Sequence, residues 1–154
     1  MDTHALLLGA AQLEPARLPL PLSGIGAQAG FPSPAEDFQE DTIDLNEHLI
    51  RNPPATFLYR ASGHSMVLEG IVDGDTLIVD RSVEPKDGDL VIATWDGQVP
   101  VCKRLKVCKD HIELHSRNPH YSPIVLEPEA EVEAFVVVGI VRKITRETAR
   151  VRFA

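Results

Sequence analysis

Little in this sequence could cross-link the chain, anchor it or clamp it to a polyanion. Only two cysteines, Cys102 and Cys108, occur in 154 residues, too few for the disulfide framework that small secreted domains use in place of a large core. Reduced thiols in a reducing compartment are the simpler expectation. No apolar run approaches the roughly 20 residues that a membrane-spanning helix needs. The N-terminal MDTHALLLGAAQLEP holds a short apolar stretch, but Asp2 stands where a secretory signal carries basic residues. Neither secretion nor a membrane is expected, and a cytoplasmic location is the default. Basic residues are in deficit too: 15 Lys and Arg against 23 Asp and Glu give a formal charge of −8. Broad binding to a phosphate backbone rests on clustered cations, so no direct specific DNA binding is expected. The one local exception is C-terminal, where Arg142, Lys143, Arg146, Arg150 and Arg152 lie close together. Aromatics are 5% of the chain, so Val, Ile and Leu must fill the core of a largely single-domain protein.

What is present divides into an irregular arm and a β-rich body. Residues 14–35, EPARLPLPLSGIGAQAGFPSPA, carry five prolines and three glycines. Proline removes a backbone donor and glycine costs entropy to order, so an extended or mobile arm is expected, without a long helix or a central strand. The segment TIDLNEHLIR predicts one or two helical turns, ended by Asn52-Pro53-Pro54. From Ala55 onward the pattern changes to short β-branched or aromatic runs: TFLYRA, DTLIVD, DLVIAT, VPVCKRL, HIELH, PIVL and AFVVVGIVRKI. Asp73-Gly74-Asp75, Asp87-Gly88-Asp89, Asp96-Gly97 and Asn118-Pro119 punctuate them as turns. The spacing predicts a mostly β fold of folded-over antiparallel sheets. A short helix is favoured only at GHSMVLEG. The apolar FVVVGIVRKI suits a core strand or a dimer edge.

The stretch richest in chemistry is Ala61-Ser62-Gly63-His64-Ser65-Met66. A serine at the start of a turn or helix lies beside free backbone N–H groups that can hold an oxyanion. Serine is equally a favoured N-cap and glycine an ordinary turn residue, so the segment also reads as a simple cap. A nucleophilic hydroxyl needs a base. Of His4, His48, His64, His111, His115 and His120, only His64 neighbours Ser65 in sequence, and adjacent side chains normally point apart. Lysine can serve instead. A free lysine, with pKa about 10.4, is protonated at neutral pH, so a lysine base calls for an apolar setting that disfavours its charge. Lys103 in VPVCKRLKV has one: strand alternation puts it on a face with Val101 and Leu105. Arg104 and Lys106, on the alternate face, are expected in solvent. An edge-strand surface lysine is the plainer alternative. Asp73, Asp75, Asp87 and Asp89 sit in Asp-Gly-Asp settings, and these four with Asp80 read as turn residues, not as acid catalysts or a calcium loop.

Taken together, ASGHSM, GIVDGDTLIVD, GDLVIA, DGQ, VCKRL and RNPHYSPI, in this order, resemble the self-cleaving domain shared by UmuD proteins and LexA-type repressors. AGFPSPAEDF and IDLNEHLI are similar to UmuD proteins in particular. The resemblance covers roughly residues 29 to 144, and only the combination of motifs makes it specific. It implies a LexA/UmuD-type peptidase fold, with Ser65 as nucleophile, Lys103 as base and Ala29-Gly30 as the bond that is cut. Residues 1–29 would then be an arm removed by self-cleavage, 30–54 a linker arm, and 55–154 the serine–lysine peptidase domain. Counting without gaps from Asp87-Gly88-Asp89 sets Cys102, not Lys103, at the lysine position. The hairpin after Asp96-Gly97 is therefore expected to carry one extra residue, taken up by a bulge or a longer loop.

The resemblance also implies a homodimer, activation by a RecA–single-stranded DNA filament, and a processed form that joins an error-prone, UmuC-like Y-family polymerase in the response to DNA damage. No room for a helix-turn-helix module precedes the bond, which favours this role over that of a repressor. Two other functions compete: an inactive dimerising binding module, and a signal-peptidase-like enzyme, which would need a membrane anchor. Cys102, Cys108, His111 and His115 form a compact cluster, but their spacing departs from zinc patterns, so no metal or other cofactor is expected.

Overall fold

The structure is a computed structural model, and it describes residues 2–22 and 41–144. The N-terminal part supplies β1 (His4–Ala10), β2 (Pro19–Leu22) and β3 (Asp41–Asp44), followed by the short helix α1 (Leu45–Leu49). Asp44 caps α1 by accepting hydrogen bonds from the N–H groups of Asn46 and Glu47. A single 3-10 turn at Pro53–Ala55 then ends the segment. Each β-rich run of the body becomes a strand: β4 (Thr56–Ser62), β5 (Thr76–Asp80), β6 (Leu90–Trp95), β7 (Val101–Val107), β8 (Ile112–His115), β9 (Ile124–Leu126) and β10 (Val132–Val141).

All pairings are antiparallel. The large sheet runs β1-β4-β5-β10-β6-β7-β8-β9, and β1 pairs with β7 as well as β4, which closes six strands into a barrel. Closure is made by three backbone contacts. His4 lies opposite Val101, Ala5 N–H donates to Pro100 O at 2.9 Å, and Cys102 N–H donates to Thr3 O at 2.8 Å. Residues 2–10, placed in the arm by sequence, are thus part of the barrel wall. The proline-rich residues that follow hold no place in the main sheet: β2 pairs only with β3 in a separate ribbon. Strand β10 pairs with β6 through residues 132–136 and with β5 through residues 136–141, so it passes from one neighbour to the other and only Val136 is paired on both sides. Its Gly139 sits at a bulge, where an added Cβ would come within 3.3 Å of Ile78 Cδ1.

Alternation along β6 and β7 feeds two cores. Leu90, Ile92 and Cys102 join Tyr59, Met66, Ile71, Leu77 and Val79 in one cluster. Val91, Ala93, Val101 and Leu105 join Leu114 and Leu126 of β8 and β9 in the other. The sheet is therefore folded over, and β6 and β7 are covered on both faces. The five aspartates expected in turns each accept a backbone N–H: Asp73 from Gly63, Asp75 from Val72, Asp80 from Ser82, Asp87 from Val107 and Asp89 from Lys86.

Asp75 does more than close a turn. It is buried, and both its oxygens accept from Arg142, at 2.6 and 2.7 Å. Arg142 is thereby tied to the body instead of forming a basic patch, while Arg146, Arg150 and Arg152 lie outside the described residues. The Arg142 hydrogen bonds hold the Asp75 carboxyl below the ordinary carboxylate range, against the opposing effect of burial and with help from Val72 N–H. A depressed carboxyl contributes stability that is present above its unfolded pKa of about 3.9 and is lost as pH falls through the folded value. Asp75→Asn is expected to cost about 2 kcal/mol at pH 7, since it breaks a charge-assisted pair whose arginine is half-exposed. Urea unfolding at pH 7 and pH 3 checks this: the gap between wild type and variant should shrink at the lower pH.

Candidate active site

The end of β4 and the turn after it present Ser65. Gly63 takes a positive φ of 105°, which turns the chain sharply out of the strand. The turn is held from both sides. Gly63 N–H donates to Asp73 Oδ1 at 2.9 Å, and Ser65 O accepts from Arg117 N–H at 2.8 Å. His64 O accepts from Asn118 Nδ2 at 3.0 Å. The His64 side chain faces solvent while Ser65 and Met66 are buried, so this histidine is turned away from the hydroxyl. A 3-10 turn at Val67–Glu69 follows, capped by Gly70 in the left-handed region. The helix expected in GHSMVLEG is this one turn.

Strand β7 presents the amine from the opposite direction. Lys103 is opposite Val91, on the face that carries Val101 and Leu105. The extra residue after Asp96-Gly97 is visible in the register. Gln98 N–H donates to Trp95 O at 2.8 Å, which defines a two-residue turn. Continued without interruption, that turn would set Ala93 opposite Pro100, yet Ala93 faces Val101. One residue is therefore extra within Val99-Pro100, and the shift sets Lys103 on the face of the second core, beside Val101 and Leu105. The displaced Pro100 carbonyl is the one that accepts from Ala5 of β1.

These elements bring Ser65 and Lys103 together. Lys103 Nζ lies 3.0 Å from Ser65 Oγ, and the two residues are 1% and 0% exposed. Nζ also donates to Ser116 Oγ at 2.6 Å and to Asp2 Oδ1 at 2.7 Å, and it stands 5.5 Å above the Tyr121 ring. Ser65 Oγ in turn accepts from Thr3 N–H at 2.8 Å. The start of the chain thus sits on both the hydroxyl and the amine. Ser116, Asp2 and Thr3 were not singled out from sequence. Ser116 follows β8 directly, and only the pairing of β7 with β8 brings it near Lys103.

Arg104 departs from the solvated position expected for it. It lies opposite Leu90 of β6, and its guanidinium pairs with Glu69 and donates from Nη1 to Gly88 O at 2.8 Å. Glu69 also holds Arg117 Nε at 3.2 Å, and these two arginines keep its carboxyl below the ordinary range. The Ala29-Gly30 bond lies outside the described residues. Of the cysteines, Cys102 is sealed in the barrel core, where burial pushes its thiol up to about 12, and Cys108 lies at the β7–β8 turn.

The buried Ser–Lys pair lies between the wall of the closed β-barrel and the turn after β4. The chain belongs to the Peptidase S24-like family, whose model matches residues 21–141. Protein SamA of Salmonella typhimurium is 45% identical over 143 residues, covering 93% of this chain and 99% of that protein. Protein ImpA of Escherichia coli is 40% identical over 132 residues, covering 86% of this chain and 87% of its own. The LexA repressor of Actinobacillus succinogenes is 39% identical over 145 residues, covering 94% of this chain and 66% of the repressor.

Proposed function

We propose that the protein is a self-cleaving serine–lysine endopeptidase that cuts its own Ala29-Gly30 bond, and that the shortened product serves as a subunit of an error-prone translesion DNA polymerase. One observation carries the proposal: the 3.0 Å contact between Lys103 Nζ and Ser65 Oγ inside a site closed to water. In the proposed step a neutral Lys103 amine takes the Ser65 proton as Oγ attacks the Ala29 carbonyl carbon. The same proton then passes to the Gly30 nitrogen as the peptide bond breaks, and water releases the acyl group from Ser65. The backbone N–H groups of Ser65 and Met66 donate to no acceptor among the described residues, and so are available to a developing oxyanion. Small residues at Ala27, Ala29 and Gly30 suit a shallow cleft. Tethering the bond to the enzyme supplies a high effective concentration.

The geometry further supports a resting state. A peptide carbonyl cannot meet a Ser65 hydroxyl that is fully buried and bonded to Thr3, so residues 2–3 must leave before the arm docks. A RecA–single-stranded DNA filament acts, in this proposal, by favouring the opened, arm-docked conformer. The UmuC-like Y-family partner, the homodimer and the cytoplasmic setting belong to the same proposal. Val138, Ile140 and Val141 of β10 leave apolar surface for a second copy. Among the described residues, no helix is long and apolar enough to cross a membrane, which gives no support to a signal-peptidase-like role.

The test is to incubate purified protein at mildly alkaline pH, where neutral amines are more populated, and to follow intact mass. Two fragments from wild type and none from Ser65→Ala are expected. No fragments at any pH, with the filament added, would leave the inactive dimerising module as the function. A second prediction addresses the resting state. Asp2→Asn weakens the tether across Lys103, and because Asp2 is partly exposed the gain in opening is modest. Cleavage is expected to run roughly three to five times faster, from about 1 kcal/mol of lost ion pairing. An unchanged or slower rate would show that residues 2–3 do not restrain the site.

A further inference from the structure

The hairpin joining β7 to β8 gathers three different metal-ligating side chains. Cys108 N–H donates to His111 O at 2.9 Å, which closes the turn over Lys109-Asp110 and sets Cys108 beside His111. Alternation along β8 then places Glu113 and His115 on the same side as His111. Cys108 Sγ, a ring nitrogen of His111 and a carboxylate oxygen of Glu113 all lie within 4.8 Å of one another. We propose that Cys108, His111 and Glu113 bind a divalent cation of the zinc class, separate from the Ser65–Lys103 site.

The donor set, thiolate with imidazole and carboxylate, is one that zinc accepts in three-ligand sites with water in the fourth position. The two spacings to the Glu113 carboxylate need little change. Cys108 Sγ stands 3.4 Å from Glu113 Oε2, and His111 Nε2 stands 2.9 Å from the same oxygen. Neighbouring ligands around tetrahedral zinc lie roughly 3.3 to 3.7 Å apart, so the histidine–glutamate contact has to open by about half an ångström. The surrounding groups already orient the ligands. Asp110 Oδ1 is 2.7 Å from His111 Nδ1, which fixes the ring with Nε2 toward the cluster. His115 Nε2 is 2.9 Å from the other Glu113 oxygen, which leaves Oε2 for a cation. Thiolate and carboxylate together neutralise the cation. On binding, the Cys108 thiol and the His111 Nε2–Glu113 contact each give up a proton to solvent. Cys102, which lies near Cys108 in sequence, takes no part because it lies in the barrel core.

Cobalt(II) is a suitable probe, since tetrahedral and thiolate-bound forms have distinct spectra. Full-length, reduced protein is titrated with cobalt under argon and then with zinc. Saturation at one equivalent is expected, with a thiolate-to-cobalt charge-transfer band, intense tetrahedral visible bands, and loss of both as zinc displaces cobalt. Cys108→Ser should lose the charge-transfer band and Cys102→Ala should keep it. Asp110→Asn should bind at least about tenfold more weakly, as expected for loss of a ligand-orienting partner. Circular dichroism verifies that each variant is folded. Weak octahedral spectra alone, no thiolate band at millimolar cobalt, or a band that survives Cys108→Ser would each overturn the site and leave a hydrogen-bonded surface cluster.

Discussion

Lys103→Met should abolish self-cleavage and leave the protein folded. Methionine keeps the apolar stem that packs beside Val101 and Leu105 but removes the amine. If Lys103 is the base, the rate should fall at least about 10³-fold, the scale seen when one member of a nucleophile–base set is removed. Stability should respond differently. The substitution forfeits hydrogen bonds to Asp2, Ser65 and Ser116, yet it also removes the cost of keeping an amine away from water. The charged partner left behind, Asp2, is partly exposed and regains water instead of being stranded, so unfolding free energy should change by no more than about 1 kcal/mol. Paired urea titrations and cleavage time courses separate the two effects. A variant that still cleaves at a wild-type rate would remove Lys103 from the chemistry.

Glu69→Ala should show the opposite pattern, with a large loss of stability and a smaller loss of activity. Glu69 is partly buried and holds Arg104 and Arg117 at once. Without it, Arg104 keeps a buried Nε that has no hydrogen-bond partner and a guanidinium bonded through Nη1 to Gly88 O. Stranding a partly buried charge is expected to cost about 3 kcal/mol, or roughly 6 to 12 °C in Tm for a chain of this size. The damage should also reach Ser65. Leu68 N–H donates to Arg117 O and Arg117 N–H donates to Ser65 O, so Glu69 fastens the serine turn to the segment bearing Ser116. Cleavage is expected to slow about tenfold at a temperature where the variant remains folded, with Lys103 still required. A stability loss under 1 kcal/mol by thermal unfolding would show that solvent satisfies the two arginines equally well.

The sequence carried the body of the fold in local signals. Each Asp-Gly turn and each β-branched run between them is short-range chemistry, so the strands from Thr56 to Val141 were legible. Even the extra residue before Lys103 could be counted, because the Asp96-Gly97 turn fixes a register against which Val99-Pro100 is one residue too long. The N-terminal strand was not legible. HALLLGA shows no alternation, since Leu6, Leu7 and Leu8 are all exposed while Ala5 is buried, and its partners are distant in sequence, His4 facing both Ser62 of β4 and Val101 of β7. The same distance hid Asp2 and Thr3, which lie 101 and 62 residues from their partners Lys103 and Ser65. Arg104 misled for another reason. Closure of the barrel by β1, with Glu69 arriving from the turn after Ser65, covers a face that would be solvated in an open sheet.

The most direct measurement is the identity of the new N-terminus after wild-type protein is incubated with a RecA–single-stranded DNA filament. Sequencing should read Gly30-Phe31-Pro32 as the product's first residues, with Ser65→Ala remaining intact in parallel. An intact wild-type chain, a different first residue, or equal cleavage of the Ser65→Ala protein would contradict the proposed chemistry.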